Sequence, residues 1–221
     1  GFQMDTGGNL QDNLVAYWKL EEASGTRLDA TGRGNNLTDV NTVTVAAGRV
    51  DSAASFAIAT TEALTLASNS DVQMGDIGFT VAAWVFQTST SDQQMAIVTK
   101  YAAAANDYAL RWLPPSRFNW VVGDGAGSDV GGAISASGSL PLNTWTFAVG
   151  WHDPVANTVN ISVNAGAVNS AATTGAAGST TTIFMIGSQA SAVTPWDGRV
   201  DEVGIWKRIL TANERADLYK A

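Results

Sequence analysis

The sequence predicts an all-β fold, two antiparallel sheets packed as a sandwich, with one short C-terminal helix. Three observations carry this. From Leu14 onward, short apolar–polar alternations are separated by Gly, Asn, Asp or Pro. The 221 residues suit one such unit, since all-β sandwiches often reach roughly 200–250 residues as a single domain. Only the stretch after Thr211 carries a helix-start signal.

Residues 1–13 are polar and aperiodic and read as an arm or linker before a domain over 14–221. Leu14, Ala16, Trp18 and Leu20 share one face of a first strand. Residues 79–86, FTVAAWVF, are apolar on both parities, as expected of a central strand covered on both sides. Residues 107–113 and 117–122 are predicted strands divided by Pro114-Pro115, which interrupts any ladder. Trp145, Phe147, Val149 and Trp151 form the plainest alternation, and Val159, Ile161 and Val163 repeat it. Residues 183–186 and 199–206 supply two late strands. The alanine run 102–105 lacks an amphipathic continuation and reads as a loop; 166–182 reads as loop with one weakly marked strand. Thr211-Ala-Asn-Glu214 fits a capping box, with Leu218 and Tyr219 on one face to dock the helix.

Composition excludes several classes of function. With no cysteine, a thiol nucleophile, a dithiol couple and an iron–sulfur cluster are out. A single histidine excludes multi-histidine metal sites. A net charge of −8 provides no basic stripe for duplex nucleic acid. No apolar run approaches the ~18 residues of a membrane span, so no membrane insertion is expected. The chain begins at Gly1 and reads as mature or trimmed. Charged residues make up only 14%, so surface polarity falls to Ser, Thr, Asn and Gly, a composition that points to an extracellular setting.

Several blocks in order resemble the laminin-G-like, concanavalin A-like jelly-roll domains. They are LVAYWKLEEASGT at 14–26, DATGRGNNL at 29–37, GRVDSAASF at 48–56 and FTVAAW at 79–84. NTWTFAVGWHD at 143–153, FMIG at 184–187 and GRVDEVGIW at 198–206 follow, then residues 210–219. The resemblance implies a jelly roll. It also implies a structural calcium, held by Asp201 of the last strand, Asp29 and the loop of Gly32 and Asn35. Parity with Val203 and Ile205 turns Asp201 inward, where a carboxylate needs a partner. Calcium takes oxygen ligands of this kind. The alternative is that Asp29 caps a turn while Asp201 pairs with Arg199, Arg49 or backbone N–H groups.

Eight tryptophans suggest aromatic stacking on sugars. Tyr108, Trp112, Trp120, Trp151 and Trp196 are the candidate ligand-binding residues, with Arg111 and Arg117 nearby. Trp18, Trp84 and Trp145 fall within strand blocks and are assigned to the core. Catalysis is not expected. A retaining glycosidase needs two carboxylates ~5–5.5 Å apart across a cleft. Here Glu21-Glu22 precede a turn, and strict alternation would send Asp201 and Glu202 to opposite faces. His152 is expected to be exposed at a strand end. The expected function is a non-catalytic binding module for glycans or cell-surface and matrix ligands. The alternative is a structural domain of a surface or virion assembly, joined to its neighbours by self-assembly or through the N-terminal arm. Glycoside hydrolase is a remote third reading.

Overall fold

The computed structural model describes residues 9–190 and 195–221. The strands are β1 (Leu14–Trp18), β2 (Thr38–Val40), β3 (Thr44–Ala47), β4 (Ser52–Phe56), β5 (Ala63–Leu66), β6 (Phe79–Gln87) and β7 (Met95–Ala102). They continue as β8 (Ala105–Leu113), β9 (Arg117–Gly123), β10 (Asp129–Ile134), β11 (Trp145–Asp153), β12 (Thr158–Val163), β13 (Val168–Ala172), β14 (Phe184–Ile186) and β15 (Gly198–Trp206). One helix, α1 (Ala212–Lys220), closes the chain. The alanine run is the tip of the β7–β8 hairpin, and the two prolines lie in the β8–β9 turn.

The first sheet has the order β13-β12-β11-β6-β15-β4-β3, with β1 also pairing β15; the second runs β10-β9-β8-β7-β14-β5-β2. All of the named strand pairs are antiparallel. Alternation sends Trp18, Val81, Ala83, Tyr108, Leu110, Trp112, Trp120 and Ile205 into one core between the sheets. A second apolar cluster lies on the outer face of the first sheet, where Trp84, Phe147, Val149 and Trp151 meet Leu210 and Leu218 at the helix. That is why 79–86 reads as apolar on both parities: β6 is covered on one side by the second sheet and on the other by α1.

The capping box forms as the sequence predicts. The Glu214 N–H donates to Thr211 Oγ1 at 3.2 Å, and the Thr211 N–H donates to Glu214 Oε2 at 2.8 Å. Leu218 is fully buried, and the Tyr219 ring stacks on Trp84 at 5.6 Å. Residues 1–8 of the expected arm lie outside the described residues, but 9–13 belong to the sandwich. Leu10 is buried, its carbonyl accepts from Trp206 Nε1 at 2.7 Å, and Arg208 donates to the Asn9 and Asp12 carbonyls. Polarity alone concealed this, because the contacts come from backbone carbonyls.

In β15 the register with β6 shifts between Asp201 and Gly204, and Glu202 adopts a left-handed φ of 50°. This is a β-bulge, in which one extra residue is inserted and the alternation resets. It lies where β15 exchanges one neighbour, β4, for another, β1. Val200 and Val203 both face the core. Asp201, paired with the outward Trp84, therefore points away from Val203 rather than with it. The expectation of an inward Asp201 is thus corrected, and so is the prediction that Asp201 and Glu202 face opposite ways.

Candidate functional site

The structure buries all five aromatic residues expected to bind ligand. Tyr108 donates its hydroxyl to the Val72 carbonyl, and Trp112 Nε1 donates to Gln87 Oε1. Trp120 packs on Phe79 with centroids 5.8 Å apart, over Gly150, where a Cβ would stand 2.3 Å from the indole. Trp196 is fully buried. Trp151 lies on the outer face, but the Arg215 guanidinium covers its ring at 4.1 Å. The physical reason is parity: on β8 and β9 the apolar aromatics fill the core, and the residues between them, Arg111, Asn119 and Arg117, turn outward.

Of the eight tryptophans, only Trp145 is not buried. The core assignment holds for Trp18 and Trp84 and fails for Trp145. Register places Trp145 opposite Phe86, Phe86 opposite Arg199, Arg199 opposite Ser55 and Ser55 opposite Thr44. One rung across five strands thus presents Trp145, Phe86, Arg199, Ser55 and Thr44 on the outer face of the first sheet. Trp145 and Phe86 are both partly exposed, with centroids 5.3 Å apart. The Arg199 guanidinium lies 4.7 Å over Phe86 and donates from Nη1 to the Ala47 carbonyl at 3.0 Å. On the neighbouring rung Tyr219 of the helix covers Trp84 and Phe147. The shelf is therefore the part of this aromatic face left outside the helix. Ring faces beside a guanidinium and two hydroxyls match the two surfaces of a sugar ring, its apolar C–H face and its hydroxyl edge. Its sequence signal was the alternation from Trp145 to Trp151; missing was how far the helix reaches along it.

The residues expected to hold calcium do not converge on a cation. Asp29 Oδ1 accepts from the Tyr17 and Thr31 N–H groups, and Oδ2 accepts from the Asn35 N–H and the Thr31 hydroxyl. Asn35 is equally committed: its amide donates to the Val15 carbonyl and Asp71, its Oδ1 accepts from Asn69, and its carbonyl accepts from Trp18 Nε1. Gly32 closes this turn, donating to the Asp29 carbonyl at 3.3 Å with a φ of 77°. Asp201 lies in a separate network. Its Oδ2 accepts from the Arg49 and Val50 N–H groups at 2.8 and 3.0 Å. Gly48 permits that approach, since a Cβ there would lie 2.7 Å from the same oxygen. Both oxygens of Asp29 and Oδ2 of Asp201 are thus taken by N–H and O–H donors, whereas Asp201 Oδ1 is buried with no hydrogen-bond partner. Among the described residues no three His, Cys, Asp or Glu side chains cluster suitably for a metal. The hydrogen bonds around these residues are those of the alternative, in which Asp29 caps a turn and Asp201 Oδ2 takes backbone donors.

The bulge leaves two buried carboxylates side by side. Burial pushes the Asp201 carboxyl up to about 7, against its backbone donors, and burial likewise raises Glu202. Glu202 accepts a hydrogen bond from the Tyr17 hydroxyl, which burial and this carboxylate together hold well above the ordinary tyrosine range. Nearby, Lys19, Glu21, Glu22, Leu28, Asp29 and Ala30 line a cavity of about 420 Å³. His152 is buried rather than exposed, with Nε2 2.9 Å from Asp76 Oδ1. That contact first, with the Ala177 N–H, holds Asp76 below the usual carboxylate range despite some desolvation.

The two antiparallel sheets and their strand order define a jelly-roll sandwich. A sequence profile described as the concanavalin A-like lectin/glucanases superfamily, laminin G type, matches residues 58–214, and the chain belongs to that family. No curated protein sequence matches it. Among solved structures, the binding domain of Paraclostridial Mosquitocidal Protein 1 is similar with a TM-score of 0.79 at 15% identity, over 96% of this chain and 52% of that one. Domain 4 of AbnA, a GH43 extracellular arabinanase from Geobacillus stearothermophilus, solved with arabinotriose, has a TM-score of 0.69 at 16% identity, over 94% and 98% of the two chains. The binding domain of Botulinum Neurotoxin DC, solved with SialylT, has a TM-score of 0.73 at 10% identity, over 96% and 52%. The chain spans about half the length of the toxin binding domains it matches. At these identities the likeness establishes the shared fold.

Proposed function

We propose that the chain is a non-catalytic glycan-binding module acting at an extracellular, cell or virion surface, and that the rung of Trp145, Phe86 and Arg199 is its sugar platform. The observation that carries this reading is the single partly exposed tryptophan, set beside a second partly exposed ring and a guanidinium on one rung. Two similar structures, solved in complex with arabinotriose and with SialylT, support a glycan as the ligand class. A binding role without turnover fits the carboxylates. Asp201 and Glu202 share a side, but both are buried, so neither reaches a glycosidic bond from solvent.

The test is a glycan array followed by calorimetry on the best ligand. Trp145→Ala should weaken binding at least tenfold, the loss expected when a central aromatic anchor is truncated at a cost of ~2 kcal/mol. Arg199→Ala should weaken it less, and the melting temperature should change little in either variant. Undiminished affinity in Trp145→Ala would remove the shelf from the binding site.

A further inference from the structure

The open edges of the two sheets are finished in different ways. β10 begins with Asp129 and carries a register shift between Asp129 and Gly131. β2 has three residues, Asp39 among them, and runs into Asn41 and Thr42 at left-handed φ. On β3 the Ala47 carbonyl is taken by Arg199. β1 is covered by the loop at Asp29: the Tyr17 N–H donates to Asp29 Oδ1, and the Tyr17 carbonyl accepts from the Ala30 N–H. Short strands, bulges, charges and covering loops keep sheet edges from pairing with other chains. β13 has none of these. Its register with β12 is unbroken from Val168 to Ala172, it has no charge and no proline, and apart from half-buried Ala171 it is exposed throughout.

The ladder assigns its free groups. The Thr173 N–H donates to the Asn157 carbonyl at 2.8 Å, and bonding alternates along an antiparallel pair. Asn169 and Ala171 therefore bond to β12, while the N–H and C=O groups of Val168, Ser170 and Ala172 point to the open edge, where no other described strand pairs. The surrounding sequence is neutral as well. Residues 154–196 contain no Lys, Arg, Asp or Glu, in a chain with 12 basic and 20 acidic residues. That absence selects the partner. A foreign surface can be drawn by opposite charge, but a two-fold contact sets each charge against its own copy. Two chains of net charge −8 repel each other, and a neutral edge is where they can meet.

We infer that β13 is the contact strand of a dimer, pairing antiparallel with β13 of a second copy about a two-fold axis at Ser170. Val168 then lies opposite Ala172 of the second copy, and Ser170 opposite its own counterpart, so only small side chains meet. The axis is perpendicular to the joined sheet, and both outer faces point the same way. On the proposed glycan-binding function, this sets two Trp145 shelves on one surface, where a multivalent glycan is held by avidity.

The test is sedimentation of the intact chain over a dilution series, with hydrogen exchange read at single amides. One short strand is a small contact, so a dimer of micromolar affinity is expected. Exchange at Val168, Ser170 and Ala172 should slow as concentration rises; Asn169 and Ala171, already bonded to β12, should not respond. Ser170→Lys and Ser170→Glu should each raise the dissociation constant at least tenfold. Mixing those two chains should restore the dimer, because opposite charges then face each other across the axis. Ser170→Ala loses the hydroxyl bond to Asn160 Oδ1 and should remain dimeric. A parent chain that stays monomeric at every concentration, a dimer undiminished in Ser170→Lys, or no recovery in the mixture overturns the inference. On a glycan-coated surface Ser170→Lys should dissociate faster than the parent, at equal affinity for the free glycan. Trp145→Ala should leave the dimer intact, so loss of glycan binding with dimerisation retained removes the shelf and not this contact.

Discussion

The two outer faces of the sandwich carry the same contact, an arginine laid on an aromatic ring, in two different settings. On the first sheet Arg215 covers Trp151, Arg49 covers Trp84 and Arg199 covers Phe86. There the arginines are tied down: Arg215 donates to the Leu210 carbonyl and Arg199 to the Ala47 carbonyl. Arg215 and Arg49 together with α1 form a roof over an apolar surface, and the rung of Trp145, Phe86 and Arg199 lies outside it. On the second sheet no helix among the described residues crosses the outer face, and small side chains such as Thr99, Ala109 and Val121 line its centre. Arg111 covers Tyr101, but its donor fork is left unused. The same guanidinium-on-ring contact is thus completed by backbone acceptors on the first sheet and left without them at Arg111 Nε and Nη2 on the second.

The largest expected effect breaks the roof. Leu218→Ala removes a fully buried side chain beneath the helix and should cost ~2–5 kcal/mol in chemical denaturation, the range for large-to-small core changes. A loss well below 1 kcal/mol would mean that α1 rests on the sheet without being packed into it.

Next comes the buried carboxylate beside the roof. Asp201 is pushed up to about 7 from 3.8, so the folded chain holds a proton that the unfolded chain releases between those values. Stability should therefore fall as pH rises from about 4 to about 7. Asp201→Asn still offers an acceptor to Arg49 and Val50 and cannot ionise. The variant should be more stable than the parent at pH 8 and flatter across that window, with Glu202 supplying the remaining slope. Identical pH profiles for the two proteins would contradict the burial.

The cap is smaller. Thr211→Ala should cost ~0.5–2 kcal/mol by the same denaturation measurement. Its partner titrates the other way: the Arg208 hydrogen bond first, then those from Thr211, hold Glu214 at about 2. The stability it contributes is present above about 4.5 and is lost as pH falls toward 2, so the cost of Thr211→Ala should shrink in acid. The smallest effect is from chelation. EDTA should leave the melting temperature unchanged, because Asp29, Asn35 and Asp201 already have donors; a fall of several degrees would restore the cation.

A register shift in β1 turns Leu14 to the outer face, apart from Ala16 and Trp18, and the alanine run expected as a loop is the tip of a hairpin. The sequence by itself determined the sandwich, the other strand alternations and the capping box. Each follows from neighbours within a few residues, where side-chain parity and capping chemistry act. Tertiary structure alone decided which side of a strand is covered, and by what. Tyr108, Trp112 and Trp120 could have faced either way until β8 and β9 were set in a sheet, and then core packing took the rings and left Arg111, Asn119 and Arg117 outside. Trp145 shares parity with Phe147, yet only the latter lies beneath Tyr219, because α1 ends where it does. The bulge at Glu202 is a third such decision. Parity sent Asp201 inward, but β15 changes neighbours there, and one inserted residue reverses the side on which every later residue lies.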